Sequence, residues 1–385
     1  MIINRIAEKE LLALSKQYRA IAVVGPRQSG KTTLVRRCFP GKAYVNLENT
    51  DTRRFAIEDP RGFLSGFPHG AILDEVQRAP EIFSYLQQVL DENNTKGQFI
   101  LTGSNNFLLQ QNISQTLAGR VGYLFLLPLS LQELDHPFPS TDALIYRGFY
   151  PEIYADKEMD AGKYYSNYIR TYVERDVRMI KNIVDLYTFE RFVRLCAGRT
   201  GQLLNMNSLA IEAGVDNKTV ASWLSVLETS FIVFRLQPYH KSFNKRIVKM
   251  PKLYFYDTGL ASALLGIDNK EQLGLHPFRG ALFENMVVVE FLKNRFNSGK
   301  TNNLFFWRDN VGTEIDLLIA NSESLIPVEI KSGQTITDAY FKSITTWCKI
   351  SGIDKGWVIY AGNQTQKRSN GITVLPYTEI GTFQP

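Results

Sequence analysis

Residues 25–32 have the types and spacing of a phosphate-binding loop. They read Gly-Pro-Arg-Gln-Ser-Gly-Lys-Thr, which fits the pattern G-x-x-x-x-G-K-[ST] at every position. Glycines let the backbone curl so that its N–H groups face a phosphate, and the start of the following helix adds positive potential. Lys31 then reaches the β- and γ-phosphates, and Thr32 offers its hydroxyl to Mg²⁺. We expect the ATP-binding residues to be Gly25, Arg27, Gln28, Ser29, Gly30, Lys31, Thr32 and Thr33.

Two adjacent carboxylates follow a second apolar run. Residues 70–75 read Gly-Ala-Ile-Leu-Asp-Glu, an apolar strand that ends in Asp74 and Glu75. Asp74 can hold Mg²⁺ through water, and Glu75 can polarise the water that attacks the phosphate. The alternative is a solvated acidic turn. The position about 40 residues after a phosphate loop favours the functional interpretation.

Two further positions are candidates for the same site. Ser104 or Asn105 ends the apolar run 98–102 and would lie near the γ-phosphate as a sensor, although an ordinary polar turn is an equally good interpretation. Arg120 precedes the apolar run 123–127. It is a candidate for placing positive charge on a neighbouring subunit's phosphates, and the alternative is a plain surface charge.

These residues need a sheet that brings the ends of several strands together. Five short apolar runs alternate with helical stretches, which predicts a doubly wound α/β sheet with the nucleotide at the carboxyl ends of its strands. The runs are 21–24, 43–47, 70–73, 98–102 and 123–127. The run 43–47 lies between the phosphate loop and the acidic strand, and we take it as the inserted strand of P-loop ATPases that carry a catalytic glutamate.

The middle of the chain has helical patterns. Residues 164–176 carry aromatic and apolar side chains at three- and four-residue spacing, and we expect their tyrosines in the core rather than as a base-stacking surface. Residues 208–213 and 217–228 predict a helix-turn-helix with Asp216 as the N-cap of its second helix. The buried face of that helix is expected to carry Val220, Trp223, Leu224 and Leu227.

The segment after the helix pair predicts a basic wing. Residues 241–252 contain five basic and no acidic side chains. If this unit reads DNA, the start of its second helix faces base edges and the wing holds phosphates. The base-facing residues would be Asn217, Lys218 and Thr219, and the phosphate contacts Lys245, Arg246 and Lys249. The alternative is a winged helix that only packs against protein.

The C-terminal third predicts the element order αβββαβ, with a helix at 280–296 and strands near 304–307, 315–319, 326–330 and 357–360. Asp316, Glu329 and Lys331 interrupt the apolar strands and, because side chains alternate, lie on a common side. Metal-dependent nucleases of the restriction-endonuclease type use such carboxylates to hold Mg²⁺ and such a lysine to act on water. Glu284, on the preceding helix, is a further ligand candidate. The alternative is a scaffold without cleavage.

Composition narrows the class of protein. The 385 residues are 44% hydrophobic and 21% charged, which indicates two or three folded domains. The net charge of +6 is compatible with a polyanionic partner. Cys38, Cys196 and Cys348 are too far apart for a CxxC pair or a disulfide framework. The charged start and the absence of a long apolar run predict a cytoplasmic protein with no membrane partner.

The order of these motifs resembles a family of prokaryotic ATPases of the AAA superfamily. The carrying segments are GPRQSGKTT, AILDEVQ, LTGSN, LAGR-V, GFYPE, YVERD, PKLYFYDTGL, GALFEN, EIDLLI and VEIKSG. The resemblance covers nearly the whole chain. It implies an AAA-type core with ATP and Mg²⁺, a winged helix, and a C-terminal domain of unknown function similar to PD-(D/E)xK nucleases. By matching motif, the ATP-site residues and Glu284, Asp316, Glu329 and Lys331 keep the roles given above.

The expected organisation has four parts. They are an ATPase core at 1–140, a helical segment at 141–205, a winged helix at 206–262 and a nuclease-like domain at 275–385. The expected function is ATP hydrolysis coupled to conformational change, acting on DNA in a homo-oligomer. The alternative is a nucleotide-dependent switch that gates a protein partner without nuclease activity.

Overall fold

The computed structural model describes residues 3–104, 109, 113, 115–134, 137–173, 185–240, 248–321 and 324–383. Its strands are β1 (Ala20–Val24), β2 (Ala43–Asn46), β3 (Ala71–Asp74), β4 (Phe99–Gly103), β5 (Val121–Phe125), β6 (Val233–Pro238), β7 (Lys252–Phe255), β8 (Leu304–Arg308), β9 (Glu314–Ala320), β10 (Leu325–Lys331), β11 (Gly356–Tyr360), β12 (Gln366–Lys367) and β13 (Ile372–Pro376). Its helices are α1 (Glu8–Gln17), α2 (Lys31–Cys38), α3 (Thr50–Glu58), α4 (Pro60–Ser65), α5 (Ile82–Glu92), α6 (Thr141–Arg147), α7 (Pro151–Ala155), α8 (Ala161–Tyr168), α9 (Leu186–Ala197), α10 (Met206–Ala213), α11 (Asn217–Thr229), α12 (Thr258–Leu264), α13 (Lys270–Leu275), α14 (Arg279–Asn297) and α15 (Lys342–Ser351).

The first sheet is parallel, with strand order β2-β3-β4-β1-β5. All residues of β1, β3 and β4 are buried, as parallel strands covered on both faces should be. The predicted α/β sheet is therefore confirmed. The strand between β1 and β3 is β4, so the assignment of the inserted strand to residues 43–47 is wrong. In β2 only Val45 is buried, which suits the sheet edge where this strand lies.

The second sheet has eight strands in the order β12-β13-β11-β10-β9-β8-β6-β7. Strands β8, β9 and β10 are antiparallel, β10 and β11 are parallel, and α14 and α15 complete the predicted αβββαβ order. Strand β6 pairs with β8 through Gln237 and Phe305. The sheet therefore continues across the predicted boundary between residues 206–262 and 275–385, because the strands assigned to the winged helix extend it.

Helices connect the two sheets. Helix α14 packs against β5 of the first sheet and against β7 and β10 of the second. In α8 the tyrosines Tyr164, Tyr165 and Tyr168 are buried around Tyr150, with ring centroids 5.7, 6.1 and 5.0 Å from that of Tyr150. They therefore belong to the core, as expected. Among the described residues, no helix is both long and apolar enough to cross a membrane.

Candidate functional site

The loop after β1 approaches its neighbours too closely for larger residues. A Cβ at Gly25 would lie 2.1 Å from the carbonyl oxygen of Leu126, so only glycine fits there. Gly30, directly before α2, has φ +90°, a conformation that L side chains rarely adopt. These two glycines turn the chain from the end of β1 into the start of α2. The backbone N–H groups at that start are the donors that an anion would meet.

Lys31, Thr32 and Asp74 meet at the carboxyl ends of β1 and β3. The buried Lys31 Nζ donates to the carbonyl oxygens of Gly25 at 2.9 Å and Pro26 at 2.7 Å. Thr32 Oγ1 donates to Asp74 Oδ2 at 2.9 Å, and Tyr44 Oη donates to the same oxygen at 2.7 Å. The threonine hydroxyl and the carboxylate that were predicted to share Mg²⁺ are therefore in contact.

Glu75 is held by two polar side chains. Its backbone is left-handed, with φ +55°, which turns the chain away from β3 immediately after Asp74. Ser104 Oγ donates to Glu75 Oε2 at 2.9 Å, and Gln77 Nε2 donates to the same oxygen. The structure thus brings Ser104 to Glu75, because β4 ends beside β3. Asn105, the other sensor candidate, lies outside the described residues.

A cleft of about 510 Å³ opens over the loop. The predicted residues that line it are Arg27, Gln28, Gly30, Lys31, Thr32, Thr33 and Glu75. Ser29 is buried beside it, and its Oγ has no hydrogen-bond partner among the described residues. A hydroxyl without a partner, loop N–H groups, an ammonium and a Thr–Asp pair are the donors and ligands that an Mg²⁺-bound triphosphate requires. These residues therefore fit ATP with Mg²⁺.

Arg5, which was not among the predicted site residues, anchors the phosphate loop through its guanidinium. Its buried guanidinium donates through Nη1 to the Ser29 carbonyl at 2.6 Å and through Nη2 to the Leu127 carbonyl at 2.7 Å. Its Nε pairs with Glu133 Oε1 at 3.0 Å. One side chain therefore ties the phosphate loop to the segment 127–133, which follows β5.

The same segment is tied to α14. Glu290 Oε1 accepts the Leu131 N–H at 2.8 Å, and Lys293 Nζ donates to the Leu129 carbonyl at 2.7 Å. Lys293 Nζ lies 3.8 Å from Glu290 Oε2, and both side chains are buried. Burial raises the pKa of Glu290 to about 7, although the Lys293 ammonium opposes the shift. Burial likewise lowers the pKa of Lys293.

Arg120 lies away from the phosphate loop of its own chain. It precedes β5, and its carbonyl accepts the N–H of Ala20 at the start of β1, the opposite end of that strand from the loop. Its guanidinium makes two hydrogen bonds to Asp91, of 2.6 and 2.8 Å. Its action on a neighbour's phosphates, and the predicted homo-oligomer, stay predictions.

The helix pair α10 and α11 has the predicted local geometry. Asp216 caps α11 by accepting the Thr219 N–H at 2.7 Å, and the predicted apolar face of α11 is buried. Asn217 and Lys218 are exposed at the start of that helix, and Thr219 is half-buried. Of the proposed phosphate contacts, Lys249 is exposed, whereas Lys245 and Arg246 lie outside the described residues.

The C-terminal residues form two linked groups. In the first, Lys331 Nζ lies 2.7 Å from Glu329 Oε1 and 3.4 Å from Asp316 Oδ2, which also accepts the Ile330 N–H at 2.8 Å. Glu329 Oε2 is buried and has no hydrogen-bond partner among the described residues. Burial, reinforced by the nearby Asp316 carboxylate, raises the pKa of Glu329 to about 8.

The second group is centred on Glu284. Its Oε1 accepts the Tyr254 hydroxyl at 2.5 Å and lies 3.0 Å from Lys252 Nζ, which also lies 2.5 Å from Glu314 Oε1. Lys252, predicted as part of the basic wing, lies in this buried group, and Tyr254 is a member that was not predicted. Their alternation on one strand, which puts both side chains on one face, was the available signal.

As they lie, Glu284, Asp316 and Glu329 are not arranged around one metal ion, and their assignment as metal ligands stays a prediction. The Asp316 carboxylate acts electrostatically on both Glu284 and Glu329, and burial together with Asp316 raises the pKa of Glu284. Among the described residues, however, no group of three or more histidine, cysteine or carboxylate side chains is arranged to hold a metal ion. The physical reason is that two ammonium groups, of Lys252 and Lys331, already bridge the carboxylates.

Comparisons with known proteins divide the chain into three parts. An AAA domain matches residues 17–135. A domain of unknown function, DUF8612, matches residues 139–271, and another, DUF4143, matches residues 279–380. The first match and the geometry of the loop agree, so residues 17–135 are similar to the P-loop domains of AAA ATPases.

Two mycobacterial relatives match nearly the whole chain. Uncharacterized proteins of Mycobacterium tuberculosis (strain H37Rv) and Mycobacterium bovis are each 29% identical over 99% of this chain and 85% of their own length. Among solved structures, the Walker-type ATPase of Pyrococcus abyssi aligns with a TM-score of 0.47 at 16% identity, over 68% of this chain and 96% of its own. AMPPCP-bound DnaA from Aquifex aeolicus aligns with a TM-score of 0.28 at 16% identity, over 58% and 86%.

Proposed function

We propose that the chain is an Mg²⁺-dependent ATP hydrolase whose nucleotide state is transmitted to its second sheet through α14. The observation that carries the proposal is the chain of buried contacts from the phosphate loop through Arg5 and residues 127–133 to Glu290 and Lys293. These contacts are polar and directional, and buried hydrogen bonds are costly to break. A shift of the phosphate loop is therefore expected to move residues 127–133 and, through them, α14.

The residues around the loop have distinct tasks in hydrolysis. Mg²⁺, when bound, neutralises phosphate charge, and Thr32 and Asp74 would hold it. Lys31 exchanges its loop carbonyl partners for phosphate oxygens. Glu75 orients the attacking water and takes up its proton, and Ser104 keeps the Glu75 carboxylate in position.

The hydrolase is tested by separating binding from turnover. Lys31→Ala should abolish both nucleotide binding and ATP turnover, whereas Glu75→Gln should bind ATP and fail to hydrolyse it. Arg54→Ala, which removes an exposed arginine on α3, is the matched control and should behave as wild type. Unchanged turnover in both Lys31→Ala and Glu75→Gln would refute the assignment of these residues.

Transmission to α14 is tested by hydrogen exchange in the Glu75→Gln variant. We expect ATP to change amide protection in α14 and in residues 127–133, since both contact the Arg5 network. Lys293→Met should suppress the change in α14 and leave that of the loop. An ATP response confined to the first sheet would contradict the coupling while leaving hydrolysis intact.

DNA is the partner that we propose for the switch. The supporting observations are the capped helix pair α10 and α11, the exposed Asn217 and Lys218 at the start of α11, and the net charge of +6. Duplex DNA should stimulate ATP turnover, and Lys218→Ala should reduce the stimulation. Turnover that is indifferent to DNA would favour the second candidate, a nucleotide-dependent switch that gates a protein partner.

Nucleic-acid cleavage is not part of the proposed function. The αβββαβ order and the contact between Asp316, Glu329 and Lys331 support a nuclease-like domain, which stays a prediction. The three carboxylates do not fit a metal ion as they lie, so no step is assigned to them.

A further inference from the structure

The cluster at the centre of the second sheet contains nearly as many cations as carboxylates. Its four carboxylates are Glu284, Glu314, Asp316 and Glu329, and its three cations are Lys252, Arg308 and Lys331. Each lysine bridges two carboxylates, and Arg308 pairs with Glu314 at 2.9 Å. The carboxylates are therefore largely neutralised by side chains of the chain itself.

Lys252 holds the central place in this network. Its side chain is 3% exposed, and its ammonium bridges Glu284 and Glu314 at 3.0 and 2.5 Å. It comes from β7, at the edge of the sheet, whereas Glu284 comes from α14 and Glu314 from β9. A residue of the middle region thus supplies the counter-charge of a cluster in the C-terminal region.

A divalent cation would have to displace this ammonium to reach Oε1 of Glu284. Glu284 Oε1 is already engaged by Lys252 and by the Tyr254 hydroxyl, and Asp316 Oδ2 by the Ile330 N–H and Lys331. The unpartnered Glu329 Oε2 is a single oxygen. Mg²⁺ takes six oxygen ligands and binds through carboxylates that are free to face it. Two positive charges cannot share the Glu284 oxygen without strong repulsion.

We propose that Lys252 takes the place of the divalent cation in this cluster, so that the second sheet is neutralised internally and binds no Mg²⁺ or Mn²⁺ while Lys252 is present. The inference concerns the second sheet alone and does not depend on ATP hydrolysis. It predicts that removal of one ammonium converts the cluster into a cation site.

Mn²⁺ binding to the full chain tests the proposal. Bound Mn²⁺ is counted by electron paramagnetic resonance without nucleotide, in an Asp74→Asn background that removes the carboxylate of the phosphate loop. We expect no ion bound to the cluster in this background, and one ion per chain after Lys252→Met. Lys249→Met, which removes an exposed lysine three residues earlier, should gain none. Adding Asp316→Asn should abolish the ion gained with Lys252→Met.

Two results would overturn the proposal. One is an ion bound in the Asp74→Asn background that disappears with Asp316→Asn, and the other is a folded Lys252→Met variant that gains no ion. If Lys252→Met does not fold, the pair Lys252→Met/Glu284→Gln provides the second measurement. The double variant should fold and show a cooperative melting transition, because no unpaired Glu284 charge is left buried. A double variant that also fails to fold would count against Lys252 as the counter-ion of Glu284.

Discussion

Replacing Arg5 by alanine removes the contact that joins the phosphate loop to residues 127–133. The guanidinium makes two hydrogen bonds to backbone carbonyls and one ion pair with Glu133, all buried. Ser29 and Leu127 would lose a donor to their carbonyls. Glu133 would keep two donors, since it also accepts the N–H groups of Ile6 at 2.7 Å and Ser130 at 2.8 Å.

The size of the effect follows from these contacts. Breaking a buried ion pair by removing one partner costs about 3–5 kcal/mol, and the two donors that Glu133 keeps favour the lower end, about 3 kcal/mol. An unfolding entropy of about 2.1 cal/mol/K per residue gives about 0.8 kcal/mol/K for 385 residues. Arg5→Ala should therefore lower Tm by about 4 °C if the chain melts as one unit.

Arg5→Ala should also lower kcat, beyond its effect on Tm. A loop whose Ser29 carbonyl is no longer anchored holds Lys31 and the phosphate-facing N–H groups less precisely, and each loss of about 1.4 kcal/mol of transition-state stabilisation costs tenfold in rate. We expect kcat to fall at least tenfold, measured by phosphate release well below the Tm of the variant. Arg5→Lys should not restore it, because an ammonium cannot bridge two carbonyls and a carboxylate in the same geometry.

The control is Arg54→Ala, which removes an arginine whose side chain is 72% exposed and should leave both Tm and kcat unchanged. An Arg5→Ala protein with wild-type kcat and a wild-type ATP response in α14 would refute the argument. In that case the loop would keep its geometry without the clamp, and α14 would receive its signal by another route.

Three further predictions concern single side chains. Gly25→Ala should weaken ATP binding at least tenfold in a titration, because its Cβ would lie 2.1 Å from the Leu126 carbonyl, whereas Gly41→Ala, in open space, should not. Ser104→Ala should lower single-turnover hydrolysis about tenfold with ATP affinity unchanged, since it removes a donor to Glu75 worth about 1–1.5 kcal/mol; a loss of affinity instead would contradict the sensor role. Burial raises the folded pKa of Glu290 from 4.5 to about 7, so this carboxyl stabilises the fold least at high pH, and its contribution falls as pH rises between those values. Glu290→Gln should remove that fall, so the Tm of the variant should rise relative to that of wild type between pH 4.5 and 7. A Tm difference that stays constant over this range would contradict the role of Glu290.

Local features of the site could be predicted from the sequence. The loop glycines, Lys31 and Thr32 belong to one motif of eight consecutive residues. An unbroken apolar run predicts the strand before Asp74. Such signals depend on a few neighbouring residues and on backbone geometry that only glycine permits. For the same reason the N-cap Asp216 and the buried tyrosines of α8 could be predicted from the sequence.

Long-range pairings were not predictable in this way. Arg5 and Glu133 are 128 positions apart, and the sequence around each residue does not indicate which residue pairs with it. Lys252 follows a basic stretch and therefore looks like a surface charge, although pairing of β6 with β8 carries it to the buried carboxylates of the C-terminal region. The pairing of β4 with β1, which puts β4 between β1 and β3, was not predicted for the same reason, since strand order depends on tertiary packing.

The continuity of the second sheet limits how this chain can be rearranged in evolution. The boundary between the two matched regions, 139–271 and 279–380, falls inside one hydrogen-bonded sheet, with β6 and β7 on one side and β8 on the other. A gene that inherited only the later region would expose the β8 edge, an open template for aggregation, and would leave the buried Glu284 without its ammonium partner. Recombination should therefore transmit the two regions together, as a single heritable unit.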